Sequence, residues 1–412
     1  MFTANVAVAF SYLTPSDTHL LEEADGVLVA TAHAPTAVPG REDVIAYPLS
    51  VERVLAGSAA AQERLLLPGT LAGAAIAHRM PGIATPHPGE RVLVFFERDA
   101  DGTLRPMQLS LGVFFAATAA DGGSAWTREL EAAVNLDKSF NAGAQRDRDA
   151  ARFEHWITWS ARGYRLAQGY FLEASAQRSS SGTLSKGGQI TDSDGTPIRW
   201  FEFDEGTTLP WHAVAGGQSG ATYDEFGAVS DAVAAWTNDT GSRILLAYAG
   251  TVASDPGGDR TNGIHAVVWD DPGNEISGSF SCSRGGILAV GGFWYYTHIV
   301  YFGGVAYHPA AEGYVITQDG AACWYNGHSG RDGAEVLAHE IGHTLGFDHS
   351  CGDSGSPSCS TSKVLDEALM RASAHGDGRG ARLGVDDQAI AALVYPDPDG
   401  GVASFVFGTG FE

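Results

Sequence analysis

The chain has 412 residues, and 25 Lys and Arg against 49 Asp and Glu give it a formal charge of −24 at pH 7. This acidic excess repels phosphate backbones and anionic lipid headgroups, which argues against a nucleic-acid or membrane partner. No run of about 18 apolar residues predicts a transmembrane helix. Because 44% of the residues are hydrophobic, the chain can bury large cores, and its length favours more than one domain.

The start of the chain lacks the pattern of a complete signal peptide. Residues 4–13 are mostly apolar, but no basic residue precedes them, and the first Lys or Arg is Arg41. We interpret residues 1–19 as an N-terminal segment of a mature or truncated chain that includes a signal-sequence remnant.

Residues 20–120 have the pattern of short β-strands. Apolar runs at 26–30, 44–54, 65–67 and 91–96 are separated by Pro-Gly pairs. Evenly spaced strands with such turns predict a small all-β barrel or sandwich. The layout loosely resembles the OB-type barrels of netrin-like modules.

Residues 121–190 are interpreted as a connecting region that is partly helical. A helix is predicted over 146–165, and the serine-rich residues 179–182 resemble a flexible linker. Two acidic loops at 192–195 and 255–259 then have the composition of calcium-binding turns. Asp and Gly are also common in ordinary turns, so calcium binding remains one of two interpretations.

From residue 221 the pattern changes to alternating helix and strand. Apolar residues at helical spacing predict a helix over 222–237. Strand-like runs follow at 243–249, 265–269, 287–290, 298–302 and 313–317. This order predicts an α+β domain.

All four cysteines lie in the last third of the chain, at Cys282, Cys323, Cys351 and Cys359. A sparse, even set favours two disulfides formed in an oxidising compartment. The short separation of Cys351 and Cys359 indicates a local loop closure. Four free buried thiols are the alternative.

The segment with the clearest chemistry is residues 339–349, His-Glu-Ile-Gly-His-Thr-Leu-Gly-Phe-Asp-His. His339 and His343 are four residues apart, so both imidazoles can reach one ion from one helix face. Gly346 allows a sharp turn that brings His349 back as a third ligand. Three neutral histidines leave a coordination position for water, which is typical of a catalytic zinc site.

Glu340 directly follows the first of these histidines. From there its carboxylate can reach a metal-activated water, accept its proton during attack on a carbonyl, and pass that proton to the leaving amine. The segment therefore predicts peptide-bond hydrolysis with Glu340 as general base.

These residues resemble the zinc signature of the metzincin metallopeptidases, and several flanking residues resemble the matrixin branch. Met370 lies where metzincins have their methionine turn, and Ser350 follows the third histidine as in matrixins. Residues 383–390, with Asp386 and Asp387, resemble the closing helix of matrixins. The resemblance covers about residues 190–397.

The resemblance implies a zincin-like α+β domain over 191–397, with a twisted mixed sheet and an active-site helix. Its lower edge strand would bind an extended substrate antiparallel to itself, and residues 313–317 would lie near that edge. Residues 371–384 would line the pocket for the side chain after the scissile bond. No cysteine precedes Cys282, so the N-terminal unit cannot be a cysteine-switch pro-domain; latency would need another ligand or steric cover.

We therefore predict a secreted or periplasmic zinc endopeptidase, acting as a monomer on protein or peptide substrates. An adhesion protein with a vestigial metal site and a zinc hydrolase of non-peptide substrates are the alternatives. The barrel unit could be an in-cis regulator, a substrate-docking module or a folding aid. Residues 398–412 are interpreted as a C-terminal tail.

Overall fold

A computed structural model describes residues 11–71, 73–128, 146–173, 177–178, 188–192, 195–352 and 356–397. The predicted linker at 179–182, the tail at 398–412 and residues 1–10 of the N-terminal segment lie outside the described residues.

The described residues form nineteen strands and seven α-helices. In the first part of the chain these are β1 (Ser11–Leu13), α1 (Asp17–Glu23), β2 (Gly26–Ala32), β3 (Thr36–Val38), β4 (Arg41–Ala56), β5 (Gln62–Pro68), β6 (Ile76–Arg79), β7 (Arg91–Arg98), β8 (Leu104–Pro106), β9 (Val113–Thr118), β10 (Ser124–Thr127), β11 (Arg148–Asp149), α2 (Ala150–Ser160) and β12 (Gln177–Arg178). Then follow β13 (Ile198–Arg199), β14 (Leu209–Val214), α3 (Glu225–Thr237), β15 (Leu246–Val252), β16 (His265–Val268), β17 (Gly286–Tyr296), β18 (Val300–Phe302), β19 (Val305–Thr317), α4 (Ala322–Tyr325), α5 (Arg331–Thr344), α6 (Lys363–Asp366) and α7 (Val385–Val394).

The N-terminal unit is built around a closed five-stranded barrel in the order β2, β4, β5, β8 and β7. The barrel closes because β7 pairs with both β2 and β8. Only β5 and β8 run parallel to each other. Alternation along β2 places Leu28 and Ala30 in the barrel core, whereas Val27 and Val29 pack against α2. The predicted helix at 146–165 is shorter than expected, because Asp149 caps it by accepting a hydrogen bond from the Arg152 amide.

The second sheet has five central strands in the order β15, β14, β16, β19 and β17. The first four run parallel, and β17 runs antiparallel to β19 as the edge strand of this set. Residues 313–317 therefore lie one strand inside the edge, in β19. The sequence prediction missed β14, since Pro210 and His212 interrupt its apolar pattern.

The second sheet is packed on both faces by apolar side chains. Helices α3 and α5 pack on one face, where Trp236, Leu337 and Ile341 are buried in a common cluster. The other face shares a cluster with the barrel, so that Val290 and Tyr314 pack together with barrel-core residues. Moreover, β1 and β6 leave the barrel unit and pair with β17. The predicted division near residue 120 thus separates two units that share a sheet and a core.

Two disulfides confirm the cysteine prediction: Cys282 pairs with Cys323, and Cys351 pairs with Cys359. Among the described residues, none of the helices has the length and apolarity needed to cross a bilayer.

Candidate metal centre and active site

Helix α5 carries two of the three histidines and ends in a turn that positions the third. The Gly346 amide donates to the His343 carbonyl, and the Phe347 amide donates to the Gly342 carbonyl. This is the hydrogen-bond pattern of a Schellman cap, and Gly346 has the left-handed conformation that it requires, with φ +87°. The chain therefore reverses directly after the helix and carries His349 back towards His339.

The Nε2 atoms of the three histidines converge. Those of His339 and His343 are 2.9 Å apart, and those of His339 and His349 are 3.3 Å apart. Tetrahedral ligands at about 2.0–2.1 Å from zinc would be about 3.3 Å from each other, so the spacing fits such an ion. In the described part of the chain, these three residues are the only group of His, Cys, Asp or Glu that converges closely enough to hold a metal.

Backbone carbonyls orient two of the imidazoles. Nδ1 of His339 donates to the Leu369 carbonyl and Nδ1 of His343 to the Phe347 carbonyl, each at 2.8 Å. These bonds place the proton on Nδ1 and leave Nε2 with its lone pair directed into the cluster. Burial lowers the pKa of His339 to about 3 and that of His343 well below its ordinary value. The neutral donor set therefore fits a cation.

Glu340 is fully buried beside this cluster, and both carboxylate oxygens accept backbone hydrogen bonds. Its Oε1 accepts from the Ser11 amide at 2.9 Å, and its Oε2 accepts from the Gly291 amide at 2.6 Å. Burial raises the pKa of Glu340 to about 8, although the bonds from Ser11 and Gly291 oppose this shift. The carboxylate points at the outer edge of β17 and is not one of the converging ligand groups.

Met370 packs against α5 at Gly342, the residue before His343. A Cβ added to Gly342 would lie 2.3 Å from the Met370 sulfur, so only glycine allows this packing. The turn is held by Asp387, whose carboxylate accepts from the amides of Leu369 at 2.6 Å and Met370 at 2.9 Å. Since the Leu369 carbonyl accepts from His339, Asp387 supports a histidine of the cluster through the turn.

The other predicted supporting residues have less direct contacts. Ser350 donates its amide to the Met370 carbonyl and its hydroxyl to the Leu365 carbonyl. Asp386 is half-buried, and burial raises its pKa. The helix predicted to close the domain is α7, and both aspartates lie in its first turn.

The segment 371–384 is attached to α5 by two buried carboxylates. Glu335 accepts from the amides of His375 and Gly376, and also pairs with the His375 ring at 2.7 Å. Asp332 accepts from the Gly378 amide at 3.1 Å. These bonds fix the segment to α5, the helix that carries His339 and His343.

The two acidic loops use their carboxylates within the protein. Asp192 bonds the His308 ring at 2.9 Å, and Asp255 accepts from the Gly257 amide and the Asn262 side chain. Residues 193 and 194 of the first loop lie outside the described residues. Calcium binding remains a prediction.

Sequence reasoning did not find three contributors to this site: Ser11, Gly291 and the Leu369 carbonyl. All three act through backbone groups, so their residue types carry no recognisable signal. Only the sheet pairing and the turn bring them to the histidines and Glu340.

One comparison bears on this geometry. Residues 271–377 match the family model of the metallo-peptidase family M12B, reprolysin-like. This match supports a metzincin-type zinc metallopeptidase, and with it a protein or peptide substrate. No match was found among curated proteins.

Proposed function

We propose that this chain is a secreted zinc endopeptidase of the metzincin type, with His339, His343 and His349 as zinc ligands and Glu340 as general base. The observation that carries the proposal is the convergence of three histidine Nε2 atoms next to a buried carboxylate that is not one of the converging groups. The two disulfides are consistent with an oxidising compartment.

Zinc held by these histidines would supply Lewis-acid polarisation of the scissile carbonyl and activation of water. Glu340 accepts the proton released during attack and returns it to the leaving nitrogen. The edge of β17, which β1 and β6 line in this structure, is the edge along which an extended peptide would pair, with its scissile bond beside Glu340. Asp387 holds the turn at Leu369 and Met370, and the Leu369 carbonyl of that turn orients the His339 ring.

The matrixin-like features belong to this proposal. Ser350 and the pair Asp386 and Asp387 support that branch, whereas the matched family model is reprolysin-like. The two branches would share the ligands and the base, and would differ in the segment 371–384.

The test is metal analysis combined with digestion of casein and of an unbiased peptide library. We expect about one zinc per chain, and Glu340→Ala should lower kcat roughly 10²- to 10⁴-fold while the zinc content is retained. Glu205→Ala removes an exposed glutamate that is distant in sequence from Glu340, and it should leave kcat unchanged. Stoichiometric zinc without cleavage of any peptide would contradict the proposal and favour a vestigial site or a non-peptide substrate.

A further inference from the structure

Two segments of the N-terminal unit lie along the outer edge of β17. In β6, Arg79 lies opposite Phe293, and Ile76 lies opposite Tyr296. In β1, Ser11 lies opposite Ala289. Both segments run antiparallel to β17, and only its residues 290–292 lie between them.

The interval 290–292 is the part of β17 that faces Glu340. Within it, the Gly291 amide donates to Oε2 of Glu340. On the β1 side, the Ser11 amide donates to Oε1. Ser11 is 1% exposed, so β1 shuts solvent away from this side of the carboxylate.

The chemistry of hydrolysis indicates which side of a scissile bond each of the two segments, β1 and β6, would occupy. The general base returns its proton to the leaving nitrogen, so the nitrogen that follows the scissile bond must lie beside Glu340. The Ser11 nitrogen is in that position, at 2.9 Å. Consequently β1 lies where the residues after a scissile bond would bind, and β6 lies where the residues before it would bind.

Side chains on both faces of the sheet hold these segments in place. Tyr12 is buried in the cluster shared with the barrel, whereas Leu13 is buried in the cluster on the helix side. In β6, His78 bonds the Asp43 carbonyl of the barrel and the Tyr314 hydroxyl of the sheet. The segments are therefore a fixed part of the interface between the two units.

We propose that β1 and β6 form a built-in substrate mimic, which occupies the peptide-binding edge of β17 on both sides of Glu340 and lowers the peptidase activity of the chain until β1 is displaced. The proposal rests on the proposed function. Latency then needs no cysteine, because a backbone amide of the chain's own segment engages Glu340.

The experiment uses the zinc-loaded full chain and a variant that displaces β1. Tyr12→Glu places a charge in the apolar cluster that the sheet shares with the barrel. Burial of this charge is unfavourable, and β1 can expose it by leaving the edge of β17 while the barrel stays folded. We expect kcat/KM on an internally quenched peptide to rise at least about tenfold, which corresponds to an activation free energy lower by about 1.4 kcal/mol. Val54→Glu adds the same charge at an exposed barrel position and should match the wild-type rate.

A second readout measures access to the cleft without catalysis. A peptidyl hydroxamate, which pairs a short peptide with a metal-chelating group, should bind Tyr12→Glu at least about tenfold more tightly than the wild type by calorimetry. If access rises in this way but neither form cleaves a peptide, the mimic is supported and the peptidase proposal fails. Equal affinities and equal rates in a folded, zinc-loaded Tyr12→Glu would overturn the mimic.

The wild type provides a third measurement in case Tyr12→Glu does not fold. Saturating hydroxamate should compete with β1 and increase hydrogen exchange of the amides in 11–13, while the barrel strand β2 keeps its protection. Hydroxamate binding that leaves the exchange of 11–13 unchanged would also overturn the mimic.

Discussion

At the scale of single residues, the histidine cluster follows from local geometry. His339 and His343 meet because they are one helical turn apart, and His349 joins them because Gly346 reverses the chain. Eleven consecutive residues therefore suffice to predict the convergence of the three histidines. The contact of Ser11 with Glu340 could not be predicted in this way, because it joins positions 329 residues apart through a backbone amide.

Asp387 is a positioning residue whose contribution can be measured. It is fully buried and accepts from three amides, those of Leu369, Met370 and Gly384. Asp387→Asn would turn an amide donor towards at least one of these N–H groups. We expect unfolding free energy to fall by about 1.5–3 kcal/mol, measured in urea, and zinc affinity to fall roughly 10- to 100-fold in competition with a chelating dye.

Asp386→Asn is the matched control, since Asp386 is half-buried on the same helical turn. It should change the zinc affinity less than twofold. Equal losses of zinc affinity in Asp387→Asn and Asp386→Asn would show that the turn at Met370 does not depend on Asp387.

At the scale of elements, apolar runs located most strands of the second sheet but not their pairing. β16, the beginning of β17 and the end of β19 were predicted, and β15 lies three residues later than expected. Strand partners depend on tertiary packing, which no local pattern encodes. The attachment of β1 and β6 to β17 was therefore invisible in the sequence.

The buried His78 should make the attachment of β6 sensitive to acid. Its Nδ1 donates to the Asp43 carbonyl, and its Nε2 accepts from the Tyr314 hydroxyl, so the neutral ring satisfies both partners. Burial lowers the pKa of His78 to about 4. The folded chain thus binds fewer protons than the unfolded chain between pH 6.5 and 4, and stability from this group is lost as pH falls through that window.

His78→Gln removes the titrating group, so comparison of its stability with that of the wild type should isolate the pH-dependent contribution of His78. Between pH 7 and pH 5 the stability advantage of the wild type over His78→Gln should shrink by about 2 kcal/mol, measured by urea unfolding at each pH. An advantage that stays constant over this range would mean that His78 is not held neutral in the folded chain.

At the scale of the whole molecule, the barrel and the second sheet are joined by one apolar cluster and by two strands that cross between them. The pattern of apolar runs and turns predicted a small β-barrel and a part with both helices and strands, and the described residues contain both. It could not predict that they share a core, because an interior residue of either unit has the same apolar character as a residue at their interface.

Metal removal should lower the stability of this molecule, because the unfolded chain lacks the preformed histidine cluster. Free zinc at 100 times its dissociation constant adds about 2.7 kcal/mol to the unfolding free energy. We expect the urea midpoint of the wild type to fall on addition of a chelator, with no change for His343→Ala. The same midpoint with and without chelator in the wild type would argue against a zinc site at this cluster.

The pairing of β1 and β6 with β17 also determines the order in which the molecule is assembled. Ribosomal synthesis proceeds from the N-terminus, so the barrel is complete before β17 and α5 have left the ribosome. The edge of β17 then forms against strands that are already present, and Glu340 meets the Ser11 amide as soon as α5 docks. Under the proposed function, the general base is thus engaged by a backbone amide of its own chain as soon as the site forms.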